Sequence, residues 1–252
     1  MFEGEPLPGV EVVPAYPSEL NRMMAEGSLD MSPVSAAMYP ELADRALLLP
    51  DFCLSSVGYV HSVILSSSMP IEELDKKRVG LTNASKTSVI LLKILLSRYY
   101  RMEPDYVPTP PNPSLQDGGL DAALLIGNEA MKGEMAPYTY DLGDLWLRKT
   151  GYPVVFAVFA VSKSLLENNR AVVASVVDSY TKSLALLESD REMVIGKASA
   201  RYPDVHYDID SYYRALKYAF TPSLREAFFF YLQTASEMGH LKKKAGETFL
   251  KG

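Results

Sequence analysis

The feature that most constrains this chain is a change of rhythm at residue 162. Before it, short runs rich in Val, Ile and Leu alternate with longer segments of helical periodicity; after it, only helical periodicity remains. Short apolar strands alternating with helices are the mark of βα units on a parallel sheet. The pattern predicts a strand over 10–15, a helix over 17–27 capped by Ser18, a short strand over 29–32 and a helical turn at 35–39. Extended candidates follow at 45–49, 55–60 and 62–67, and the polar stretch 66–70 ends this first block.

The second block opens with a turn at 71–75, a strand over 78–81, a loop over 82–87 and an apolar-periodic helix over 88–99. The segment 107–113 holds four prolines in seven residues, which predicts loop. A strand over 121–126, a helix starting at 127–131, a helix over 142–150 and the most apolar strand of the chain, 153–161, complete it. Helices then follow over 163–187, 191–202, 209–220 and 223–239, with Ser162, Asp190 and Thr221 as N-caps and Pro222 in a first turn. Two βα blocks and a returning helical region predict an α/β protein of two lobes. One lobe is expected over 1–66 with 159–252 returning to it, the other over 67–158.

Charge narrows the partners. Lys and Arg number 25 against 31 Asp and Glu, a net charge of -6, so there is no global basic field to hold a nucleic-acid backbone. The one cysteine, Cys53, excludes an internal disulfide and multi-cysteine metal sites, and fits a reducing compartment. His61, His206 and His240 are too scattered for a metal-ligand pattern, so no metal is expected. The N-terminus has no secretory pattern, and the longest apolar run, 154–161, has eight residues where a spanning helix needs roughly 20. A soluble, cytoplasmic protein without membrane or nucleic-acid partners is expected.

The strongest local chemistry lies at 80–89, Gly-Leu-Thr-Asn-Ala-Ser-Lys-Thr-Ser-Val, where a strand runs into a helix through a polar turn. Free N–H groups and the positive end of the helix dipole attract carboxylate or phosphate there, and Ser85, Thr87 and Ser88 add hydroxyls. The same pattern also suits plain N-capping, and the sequence leaves both readings open. It is not a Walker A loop, because the terminal Gly-Lys-Ser/Thr is missing. Polar turns at 30–37 and 125–130 also follow expected strands, and three such junctions predict a ligand cleft at the strands' carboxyl ends. His61 is either a base or a packed ring. No G-x-S-x-G elbow supports a serine hydrolase. Trp146 with Tyr138, Tyr140 and Tyr152 reads as an aromatic pocket or as core, and Tyr202, Tyr207, Tyr212, Tyr213 and Tyr218 read as helix packing.

Taken together, Asp30-Met-Ser-Pro-Val-Ser, Leu48-Leu-Pro-Asp, Ser55-Ser-Val-Gly and Ser62-Val-Ile-Leu resemble the menaquinone-biosynthesis family of the futalosine route. Ser85-Lys-Thr-Ser-Val, Lys93-Ile-Leu-Leu, Ala123-Leu-Leu-Ile-Gly, Tyr140-Asp-Leu-Gly, Trp146 and Thr150-Gly-Tyr-Pro-Val-Val-Phe-Ala continue in family order. The resemblance covers residues 12 to 161 and is to the chorismate dehydratase branch. The sister branch, 1,4-dihydroxy-6-naphthoate synthase, has glycine-rich ligand loops that are absent here. Two departures stand out. Family members begin with a strand carrying a Tyr-x-Asn-x-x-Pro-like segment, whereas this chain opens at Met1-Phe-Glu-Gly-Glu, which implies a shortened chain or a first lobe built differently. The usual Gly-Asp of the third junction is Gly127-Asn128, which removes a carboxylate there.

What the resemblance implies is a two-lobed, periplasmic-binding-protein-like type II fold with mixed sheets flanked by helices and a helical C-terminal region. The implied activity is a hydro-lyase that removes water from chorismate to give 3-[(1-carboxyvinyl)oxy]benzoate, without metal or cofactor. The alternatives are the sister synthase and a non-catalytic binding protein for a small carboxylate. Ser88 and Asn128 are then the expected catalytic groups. Ser85 and Thr87 join Ser88 as carboxylate donors, Ser35 and Ser56 contact substrate from the first lobe, and Asp141 does so from the second. The family pattern further implies that the substrate's own side-chain carboxylate serves as base.

Overall fold

The computed structural model describes residues 6–113, 115, 119–132, 136–242 and 249–250; the chain's opening residues 1–5 lie outside them. The first elements are α1 (Pro17–Glu26), β1 (Met31–Ser35), α2 (Tyr39–Leu42), β2 (Ala46–Ser56) and β3 (Val63–Ser67). Then come β4 (Arg78–Thr82), α3 (Lys86–Ile94), β5 (Asp105–Thr109), β6 (Ala122–Ile126), α4 (Asn128–Met131), β7 (Tyr138–Asp141) and α5 (Leu142–Thr150). The chain continues through β8 (Val154–Ser162), α6 (Lys163–Asn168), α7 (Arg170–Ser189) and α8 (Arg191–Arg201). It ends on α9 (Ile209–Ala215), β9 (Leu216–Ala219) and α10 (Pro222–Glu237). Among the described residues no helix is long and apolar enough to cross a membrane.

Two sheets organise these elements. The first has the order β1-β8-β2-β9 and the second β5-β4-β6-β3-β7. In the second sheet β4 pairs in parallel with β5 and β6, as strands joined by helices must, whereas β3 pairs antiparallel with β6 and β7. In the first sheet β1–β8, β8–β2 and β2–β9 all pair antiparallel, because the late strand β8 inserts between β1 and β2. A parallel sheet was the expectation for this block; the order of the strands, which periodicity does not encode, decides otherwise.

The sheets also move the crossing points of the chain. Val63–Ser67, expected before the boundary, pairs within the second sheet, and all of Val154–Ser162 belongs to the first. The chain therefore crosses between residues 56 and 63, and again between 141 and 154. The last helix is not confined to the first sheet: α10 packs on β8 and also on α3. Its Tyr231 hydroxyl donates to the Thr87 carbonyl at 3.1 Å, and Tyr231 and Phe230 meet the fully buried Trp146 of α5 at 6.0 and 5.8 Å. Trp146 is thus core, and an aromatic side chain of this size is among the larger single contributions to apolar burial.

Several local expectations yield to tertiary partners. Residues 10–15 form no strand; they border an apolar groove of about 390 Å3 that separates them from 29–33, so the segment lacks the ladder that defines a strand. Ser18 is not the cap of α1, whose N-cap Tyr16 makes no side-chain hydrogen bond; instead the Ser18 N–H donates to the Ala84 carbonyl at 3.2 Å. The segments 45–49 and 55–60 are read better as one strand, β2, with a register break around Pro50-Asp51 where proline cannot donate. Pro108 sits inside β5, which proline tolerates because β5 is an edge strand. Residues 216–219 leave the expected helix to pair with the free edge of β2. Ser162, Asp190 and Thr221 do cap α6, α8 and α10, accepting from Leu165, Met193 and Leu224 N–H.

Candidate functional site

A cavity of about 410 Å3 opens between the two sheets. Its walls come from the ends of β1 (Val34, Ser35), β2 (Leu54) and β8 (Phe156, Ala157) on one side, and from Ser62, Ser85, Ser88 and 126–129 on the other. All three expected strand-to-helix junctions contribute, so Ser35, Ser85, Ser88 and Asn128 share one space. That size and mixture of apolar wall with a few polar groups suits a small organic ligand.

The polar groups are held in place by local bonds that leave donors for a ligand. Ser85 caps α3 in extended conformation, its oxygen accepting from Ser88 N–H at 3.3 Å. The Ser85 hydroxyl then donates to Ser88 Oγ at 2.9 Å, so the Ser88 proton is left for an acceptor in the cavity. Ser35 is fixed by the buried Asn21, whose Oδ1 accepts from Ser35 N–H and whose Nδ2 donates to Ser35 Oγ, both at 2.9 Å. Its hydroxyl proton is also free to point at a ligand. Asn128 follows Gly127, which turns the chain with φ 60 and ψ −138, a conformation costly to a residue with a Cβ.

Ser56, Thr87 and Asp141 do not line this cavity. The fully buried Ser56 hydroxyl donates to the Gly58 carbonyl at 3.0 Å, inside the crossing between the sheets. Thr87, on another face of α3, accepts from Ala37 N–H at 3.2 Å and ties the helix to the turn after β1. Thr87 is rotated about 100° around the helix from its neighbour Ser88, whereas Ser85 lies roughly a turn before Ser88, and pattern alone does not say which face meets a ligand. Asp141 Oδ2 accepts from Val60 and His61 N–H at 3.0 and 2.7 Å, and Oδ1 from Gly143 and Asp144 N–H at 2.9 and 3.2 Å. Burial pushes its carboxyl pKa up while the four amides oppose that. The carboxylate thus caps α5 and clasps the crossing segment, which contains two left-handed residues, Gly58 (φ 83) and His61 (φ 63). His61 lies between Tyr59 and Tyr207, with ring centroids 5.7 and 4.8 Å away.

Gly143 is part of the same joint. A Cβ there would lie 2.3 Å from the Gly58 carbonyl oxygen and 2.9 Å from Ser56 Oγ. Gly143→Ala is therefore expected to destabilise the protein by about 2–3 kcal/mol, read as a lower urea midpoint with an unchanged slope.

Comparison with known proteins fits this architecture. The model of the menaquinone biosynthesis family matches residues 1–237. The chain belongs to that family. It is 33% identical over 226 residues to the chorismate dehydratase of Thermus thermophilus, covering 79% of this chain and 77% of that protein. A crystallised protein of Archaeoglobus fulgidus shares the fold with a TM-score of 0.69 at 20% identity, over 91% of this chain and 86% of the other. The periplasmic aliphatic sulphonate binding protein of Escherichia coli does so with 0.63 at 16% identity, over 95% and 82%. The fold is accordingly the periplasmic-binding-protein-like type II fold, with mixed α/β layers and a helical C-terminal region.

Two groups at the cavity, Ser62 and Tyr212, and one behind it, Asn21, which holds the lining Ser35, receive no site role from the sequence. Asn21 lies four residues after Pro17 and three before the buried Met24, on the inward face of α1. A polar residue on an inward helix face was the available signal. Ser62 and Tyr212 carry no local signature. Among the described residues there is no group of three or more His, Cys, Asp and Glu able to hold a metal.

Proposed function

We propose that this cavity binds chorismate and eliminates water from it, giving 3-[(1-carboxyvinyl)oxy]benzoate. The observation that carries the reading is the convergence of Ser35, Ser85, Ser88 and Asn128 on one cavity at the N-terminus of α3, in a chain of this family. Chorismate is a dianion, and the N–H groups at the start of α3 with the free Ser88 hydroxyl proton stabilise a carboxylate where no lysine or arginine is found among the described lining residues. In this role Ser88 and Ser85 orient a carboxylate, Ser35 donates from the opposite wall and Asn128 contacts the reacting face.

The chemistry asks little of a protein base. The C3 hydrogen of chorismate is acidified by conjugation through the ring to the carboxylate, and loss of the C4 hydroxyl makes the ring aromatic. Among the lining residues the one carboxylate, Glu129, is ion-paired with Lys132 at 3.0 Å, and burial raises the Tyr212 phenol. The substrate's enolpyruvyl carboxylate is then the base: it takes the C3 proton, the C–H pair becomes the C3–C4 π bond, and the C4–O bond breaks. The departing hydroxide takes up the proton now held by the enolpyruvyl carboxyl and leaves as water, which restores the carboxylate. Holding the side chain over C3 makes this transfer intramolecular, a source of large effective molarity. The two sheets would act as lobes that close on the substrate and exclude water. With a single cysteine and a biosynthetic reaction, the cytoplasm is the compartment we assign.

Incubation of the purified chain with chorismate alone should yield the enolpyruvyl-benzoate, followed by chromatography, at the same rate with and without a chelator. Binding without turnover would favour the carboxylate-binding alternative, and loss of activity in chelator would contradict the metal-free route.

A further inference from the structure

The cavity has a second cluster of hydroxyls that the reading above leaves unused. Tyr212 of α9 and Ser62 both line it; burial pushes the Tyr212 phenol pKa up, and the neighbouring Ser62 side chain opposes that rise. Ser62 precedes β3, and its carbonyl accepts from Gly127 N–H at 2.8 Å, which fixes it beside the β6 junction. The strand order β4-β6-β3 places Ser62 two strands from the turn that carries Ser85 and Ser88. Two interstrand spacings are roughly 10 Å. The cavity therefore carries hydroxyls at two separated positions, with 126–129 between them.

Tyr212 is held at this position from several directions. Asp208 caps α9 by accepting from Asp210 and Ser211 N–H, and Asp210 pairs with Arg191 and Arg214. Just before the helix, Tyr207 stacks on His61 of the crossing segment at 4.8 Å. Just after it, β9 joins the edge of β2, and Leu216 completes the cavity wall next to Tyr212.

We infer that Tyr212 and Ser62 form a second anion-binding pole, which holds one carboxylate of a dicarboxylate ligand while the Ser85 and Ser88 turn holds the other. The identity of the ligand as chorismate rests on the function proposed above, whereas the two-pole geometry does not. Isophthalate and benzoate, an aromatic dicarboxylate and a monocarboxylate, test it directly by calorimetry on the whole chain. Removing one hydroxyl donor to a charged group should weaken isophthalate by roughly 10-fold to 150-fold in Tyr212→Phe, while benzoate, which needs one pole, keeps its affinity. Ser62→Ala should act in the same direction and carries the test if the tyrosine variant fails to fold. Equal loss of both ligands would mean that Tyr212 only shapes the cavity, and no loss of either would mean that it meets no anion; each overturns the inference. Absence of chorismate turnover in the parent protein would defeat the proposed function and leave this measurement intact.

Discussion

Asp141→Ala should lower stability by about 3–5 kcal/mol, the largest effect expected of a single polar substitution here. The figure combines the loss of an N-cap, about 1 kcal/mol, with a buried donor left without an acceptor at about 1–3 kcal/mol and a half-buried one at about 1 kcal/mol. The donors are Val60 and His61 N–H, and the cap is that of α5. Because typical domains are stable by only about 5–15 kcal/mol, the loss would bring the midpoint down by roughly 10 °C or more. The site of damage matters as much as its size: the carboxylate clasps the first crossing to the start of α5, so the join between the sheets opens first. Chemical denaturation together with kcat/KM on the same preparation distinguishes this from a substrate contact. A carboxylate that touched substrate would leave the midpoint near normal and lower turnover, and that result would reverse the structural assignment. Asp141→Asn should fall between, since its carbonyl oxygen still accepts while its amide meets an N–H donor.

Ser88→Ala should show the opposite profile, with kcat/KM for chorismate falling roughly 10-fold to 150-fold and stability nearly unchanged. The structure separates the two roles that this turn combines. Ser85, not Ser88, is the helix cap, and Ser85 Oγ continues to accept from the residue 88 N–H after the substitution. What disappears is the end of the relay, the Ser88 hydroxyl whose proton has no other acceptor within the turn. Ser85→Ala is the informative partner: it removes the cap, at about 1 kcal/mol, and also disorders the Ser88 donor, so both stability and turnover drop. Normal kinetics in Ser88→Ala would remove the anion turn from the mechanism.

Much of this protein was legible in the residues because local physics governed it. The caps at Ser162, Asp190 and Thr221 and the three strand-to-helix junctions all depend on interactions within a few residues, although α3 begins at Lys86 behind its Ser85 cap, two residues before the apolar periodicity places it. The family motifs are likewise short strings, and they carried the fold that the relatives share. The cavity's Ser35, Ser85, Ser88 and Asn128 were visible for the same reason, each lying at the end of a recognisable strand.

What only the tertiary structure decided involves partners far apart in the chain. Ser56, Thr87 and Asp141 look like ligand groups by type and neighbourhood, yet their acceptors and donors are Gly58, Ala37 and residues 60, 61, 143 and 144. A polar side chain's role depends on which unmet backbone group it reaches first, and that is set by packing. Tyr212 shows the converse: it sits in a run of tyrosines with no distinguishing spacing, and it enters the cavity because α9 is carried there by β9 pairing with β2. The antiparallel first sheet has the same origin, since β8 joins β1 and β2 across the whole stretch of chain that builds the second sheet. Periodicity specifies that a segment is a strand and which of its faces is apolar; the choice of neighbour is made by the whole apolar surface at once, and no local signal records it.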